Sequence, residues 1–72
     1  MFGQKVRVYR MRLGWSQEDL AGRAGVDVKT VGNIETGRTR PRLSTIRLLI
    51  QALQLNDRDR ADFYANAGPT EE

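Results

Sequence analysis

The side chains best suited to recognition chemistry cluster in the middle of the chain. Lys29 and Asn33 lie four residues apart, with Gly32 and Thr36 at matching helical spacing, so these positions form one polar face. A lysine ammonium can donate to guanine O6 and N7, and an asparagine amide can pair with an adenine edge. Val28, beside Lys29, can touch a thymine methyl. Just downstream, Arg38, Arg40 and Arg42 put three guanidinium groups into five positions, with Thr39 among them. Guanidinium forks match phosphate and guanine geometry better than ammonium groups do, and ten of the twelve cations are arginines. This inventory suits a polyanion. The competing reading of each residue is plain solvent exposure.

The same inventory argues against catalysis. The chain has no cysteine and no histidine. It therefore lacks a thiolate, the commonest metal ligand, and the side chain best matched to proton transfer near neutral pH. The expectation is no enzyme, no cofactor and no metal. Seventy-two residues make one domain with one modest core and little room for an enclosed small-molecule site. The longest purely apolar run is Leu48-Leu49-Ile50, far short of the ~20 residues that span a bilayer. The first residues lack an apolar segment of signal-peptide length. These features lead us to expect a soluble cytoplasmic protein without a membrane partner, associated with the nucleoid if it holds DNA.

Charge is unevenly placed. Residues 1–42 hold nine Lys/Arg against four Asp/Glu, and residues 43–72 hold three against five, within a net charge of +3. The basic half contains the polar face and the arginine run.

Five helical stretches must position these groups. The spacing of Val6, Tyr9/Arg10 and Leu13 predicts a helix over Lys5–Leu13, stopped at Gly14. Ser16 and Asp19 have the spacing of a capping box for a second helix, which runs through Leu20, Ala21 and Ala24 to Gly25. Asp27 suits the N-cap of a third helix, Val28–Thr36, ended by Gly37. A loop with Pro41 follows, then a helix of about Leu43 to Leu53 with Ile46, Leu49, Ile50 and Leu53 on one face. Asn56 or Asp57 can cap a fifth, Arg58 to about Ala67, with Ala61, Phe63, Tyr64 and Ala67 available to pack. The domain is read as residues 1–68, with 69–72 a disordered tail. Trp15, Leu20, Val26, Val31, Ile34, Ile46, Leu49, Leu53 and Phe63 read as core. No strand pattern and no internal repeat is present. The fold class is all-α.

Helices two and three, with the tight turn between them, have the form of a helix-turn-helix. In that motif the first helix crosses the DNA backbone and the second enters the major groove. Gly25 sits where the chain must reverse sharply, Val26 is placed to fill the gap, and Ala21 allows close approach. Val31 and Ile34 face the core.

The run Arg12-Leu13-Gly14-Trp15-Ser16-Gln17-Glu18-Asp19-Leu20-Ala21, then Ala24-Gly25-Val26, then Thr30-Val31-Gly32-Asn33-Ile34-Glu35-Thr36-Gly37-Arg38 strongly resembles the Cro/C1-type (XRE family) helix-turn-helix domains of phage repressors and bacterial regulators. Pro41 and the helix Thr45–Leu53 complete a likeness over roughly residues 5–66. Asp59–Ala67 looks like the ending of a subset of the family, the N-terminal modules of larger actinobacterial regulators.

The resemblance implies a compact five-helix, lambda-repressor-like fold and sequence-specific binding of double-stranded operator DNA, expected to repress transcription. Val28, Lys29, Asn33 and Gly32 are the candidate base-reading positions. Gly32 either lets DNA approach closely or deletes a contact, since the family usually carries a larger polar residue there. Gln17 matches a family glutamine that bonds phosphate and braces the recognition helix. Ser16, at a helix N-terminus that attracts anions, is a further phosphate candidate. So are Thr30, which can instead only support the helix start, and Thr36, Arg38, Thr39, Arg40 and Arg42. Arg10 and Glu35 match positions the family often joins by an ion pair, with Arg10 also set near phosphate. The family usually dimerises, at least on DNA, and Leu55 to Tyr64 is the candidate dimer surface. The alternative is a protein-interaction module of the same fold within a larger regulatory protein.

Overall fold

Ser16 begins the helix-turn-helix as its sequence requires. In the computed structural model, which describes residues 2–67, the Ser16 hydroxyl accepts the Asp19 N–H at 3.0 Å while the Asp19 carboxylate accepts the Ser16 N–H at 2.9 Å. This reciprocal pair satisfies two amides that a helix start leaves open. The described residues form α1 (Phe2–Arg12), α2 (Gln17–Ala24), α3 (Val28–Glu35), α4 (Leu43–Leu53) and α5 (Asp57–Ala67), with no strand among them. The tail expected beyond residue 68 lies outside the described residues.

The turn between α2 and α3 closes on one acceptor. Gly25 adopts a left-handed conformation, φ +74°, and both its N–H and that of Val26 donate to the Ala21 carbonyl. A left-handed residue here costs glycine nothing, whereas a Cβ would meet the following carbonyl. Val26 is half-buried and packs against the core, and Ala21 is 4% exposed.

Core residues come from all five helices. Val6, Leu20, Val31, Ile46, Leu49 and Phe63 are essentially inaccessible to water. Ile34, Ile50 and Leu53 lie among them, and Trp15 packs from the edge with the Arg23 guanidinium 4.4 Å from its ring centre. Phe63 meets Phe2 edge-on at 4.6 Å and Tyr9 at 5.9 Å, which fastens α5 to α1. Lys5 and Asp62 add an exposed ion pair between the same two helices.

Several boundaries and faces differ from those expected. α1 starts at Phe2 rather than Lys5, because Phe2 and Gly3 are buried and extend its packing face. Leu13 is 45% exposed, since it lies beyond the end of α1 where the chain turns at Gly14. α3 ends at Glu35; Thr36 is its C-cap. Asp27 holds the N-cap position with extended backbone, but its side chain makes no capping bond. Asn56 is the residue that caps α5, accepting the Asp59 N–H at 2.8 Å. Of the α5 residues thought available to pack, Phe63 is buried, while Tyr64 and Ala61 face solvent. Leu55 is 9% exposed and belongs to the core, so it cannot line the dimer surface assigned to it.

Candidate nucleic-acid interface

α3 is anchored along one side and open along the other. Val31, Ile34 and Glu35 are buried beneath it. Helical geometry then turns residues 28, 29, 32, 33 and 36 outward. Val28 is 45% exposed although apolar, Lys29 is exposed, and Gly32 and Asn33 are half-buried. Thr30 sits half-buried on the flank. The candidate base-reading positions therefore share one surface, carried on a helix whose opposite side is fixed.

What fixes α3 is polar as well as apolar. The Arg10 guanidinium grips Glu35 with a fork: Nε donates to Oε2 at 2.7 Å and Nη2 to Oε1 at 2.9 Å. Its remaining nitrogen, Nη1, donates to the Trp15 carbonyl at 2.7 Å. Gln17 Nε2 donates to Glu35 Oε1 at 3.2 Å. One carboxylate on α3 thus ties α1 and the start of α2 together. The bond to Glu35 raises the pKa of Arg10 against the opposing effect of burial. Such fork-to-fork pairs fix orientation as well as distance. The side chain of Arg10 is only 11% exposed. Its guanidinium faces Glu35 and Trp15, and these three bonds brace α3 against α1 and the turn before α2.

The other phosphate candidates lie at the start of α2, at the end of α3 and in the loop that follows it. Ser16 is exposed with its hydroxyl on the Asp19 amide. Hydrogen bonds from the Ser16 backbone and hydroxyl hold the Asp19 carboxyl below the usual carboxylate range. Thr36 is exposed, and its hydroxyl donates back to the carbonyls of Gly32 at 2.9 Å and Asn33 at 3.3 Å. Arg38, Thr39, Arg40 and Arg42 are all exposed along the loop to α4. That loop is not slack: the Arg38 N–H donates to the Asn33 carbonyl at 2.9 Å and Pro41 is buried.

Two contributors escaped the reading of the sequence. Gly3 passes so close to the end of α3 that a Cβ there would lie 2.2 Å from the Ile34 carbonyl oxygen and 2.8 Å from that of Glu35. The second is the Trp15 carbonyl, which orients Arg10. A main-chain acceptor leaves no mark in residue types, and the helix that spacing predicts begins only at Lys5, after Gly3.

Five helices, a capped second helix, a tight left-handed turn and an exposed third helix beside an arginine loop define a DNA-binding helix-turn-helix domain. The chain belongs to that family: the model described as "Helix-turn-helix domain" matches residues 1–63. Its type is Cro/C1, and its role is DNA-binding transcription regulation. Among solved structures it is similar to the restriction-modification controller protein C.AhdI from Aeromonas hydrophila, with 39% identity and a TM-score of 0.76, over 82% of this chain and 89% of that one. No curated protein matches the chain. Among the described residues, no helix is long and apolar enough to cross a membrane, and no group of acidic side chains is arranged to hold a metal ion.

Proposed function

We propose that this domain binds operator DNA sequence-specifically, with α3 in the major groove, and represses transcription by occupying the operator. The observation that carries this reading is the division of α3. One side is locked by Val31, Ile34 and the Arg10–Glu35 fork, while Val28, Lys29, Gly32 and Asn33 face outward beside four exposed loop residues. Lys29, Asn33 and Val28 read bases. Ser16, Gln17, Thr30, Thr36, Arg38, Thr39, Arg40 and Arg42 set the register through phosphates and sugar. The likeness to a restriction-modification controller supports a regulatory role.

Size supports a dimer on DNA. The domain measures 26 × 25 × 19 Å, whereas half-sites one helical turn apart are separated by about 34 Å. Two copies are needed to read both. The exposed rim between α4 and α5, lined by Arg47, Gln51, Arg60 and Tyr64, is the surface we assign to that contact. A regulator of this kind works in the cytoplasm, where the DNA lies. Selection from a random duplex pool tests the reading. The expected product is a near-palindromic motif whose binding weakens log-linearly with salt. A pool with no enriched motif overturns sequence-specific recognition.

A further inference from the structure

We propose that Gln17 reads a base through the space left open by Gly32, and that the base it takes carries an exocyclic amino group in the major groove. The proposal rests on α3 being the groove-facing helix. Gln17 Nε2 donates to Glu35 Oε1 at 3.2 Å. A carboxylate only accepts, so the nitrogen of the amide must face Glu35 and its oxygen must face away. That oxygen, Oε1, lies 3.6 Å from the point a Cβ on Gly32 would occupy. The carboxamide acceptor therefore overhangs the one position of the outer face that has no side chain. Its direction is braced from behind, because Arg10 holds Glu35 with two bonds.

This orientation selects a partner. In the major groove, adenine N6 and cytosine N4 donate, whereas guanine O6 and thymine O4 accept. Gln17 Oε1 is complementary to the first pair and repelled by the second. It is equally repelled by phosphate oxygen, which also only accepts. The amide nitrogen carries a second hydrogen, which serves the phosphate contact, so both roles fit one side chain. Gly32 is then neither a lost contact nor a mere weakness in the helix. It is the opening through which a residue of α2 reaches the groove.

The test is selection from a random duplex pool with the wild type, Gln17→Met, Gly32→Ala and the double variant, each checked for folding by thermal melting. Methionine keeps the bulk of Gln17 and removes the acceptor. The wild-type motif is expected to contain a position per half-site restricted to adenine or cytosine on the contacted strand. Gln17→Met should relax that position by about tenfold and leave the rest of the motif intact. Gly32→Ala should relax the same position, because its Cβ stands between the amide and the base edge. The double variant should relax it no further. If Gln17→Met fails to fold, Gly32→Ala still decides, since its Cβ meets Gln17 at ordinary contact distance. An unchanged motif with uniformly weaker binding overturns the proposal and leaves α3 as the reader. A wild-type pool without any motif overturns the underlying reading as well.

Discussion

Glu35 shows how one residue can decide the pose of a helix. Its side chain is 3% exposed and charged, and Arg10 answers it with a two-bond fork. Removing one partner of a buried pair leaves a charge with neither water nor counter-ion, at a cost of about 3–5 kcal/mol. Replacing both by apolar groups removes the charge together with its partner. Arg10→Met should therefore lower stability to urea more than Arg10→Met combined with Glu35→Leu. Equal losses would mean that packing, rather than charge, sets the energy there. Gly3 decides the pose from the other side. Its missing Cβ leaves room for two main-chain oxygens, and main chain cannot rotate out of the way. Gly3→Ala should cost about 1–3 kcal/mol by overpacking. Gly32→Ala should gain about 1 kcal/mol, because its Cβ meets only ordinary contact. Thermal melting of the two variants would separate a glycine kept for packing from one kept for the DNA face.

At the scale of elements, the two helices of the motif start differently. Ser16 makes a full capping box, whereas Asp27 holds the cap position without a side-chain bond. Ser16→Ala should lower stability by about 1 kcal/mol, and Asp27→Ala by much less. The Asp19 half of the box adds a pH dependence. Hydrogen bonds from Ser16 depress its folded pKa. A depressed carboxylate stabilises the fold above the ordinary carboxylate range and loses that effect as pH falls through the lower folded value. Asp19→Asn should flatten this acid limb of stability, followed by circular dichroism during titration. These elements were legible where local chemistry defines them. Ser16, Gly25 and the apolar positions of α4 mark their helices in the sequence, and α4 spans Leu43–Leu53 as expected. The start of α1 was not legible, because the burial of Phe2 and Gly3 depends on α3 and α5, far along the chain. The Arg10–Glu35 pairing is legible from two charges on partly apolar helix faces taken together with the family resemblance. The orientation of the Gln17 amide is tertiary in origin and left no local trace.

At the scale of the whole molecule, charge divides along with function. Residues 1–42 are strongly basic and carry α3 and the arginine loop, while Asp57, Asp59 and Asp62 gather on α5. The loop arginines are exposed in the segment that directly follows α3. A protein that neutralises phosphates releases condensed counterions, so affinity falls log-linearly with salt in proportion to the contacts made. Each loop arginine that meets phosphate should then count about one in that slope. Arg40→Gln should weaken binding to every duplex by a similar factor and flatten the salt slope by about one unit, with the selected motif unchanged. Arg58→Gln, on the exposed side of α5, should leave the slope alone. Lys29→Gln should instead change the motif, because a base contact distinguishes sequences and a phosphate contact does not. Binding isotherms across a salt series for these three variants would read positioning and specificity as separate quantities. An Arg40→Gln slope equal to that of the wild type would remove that arginine from the interface and leave the loop as a solvated basic segment beside the reading helix.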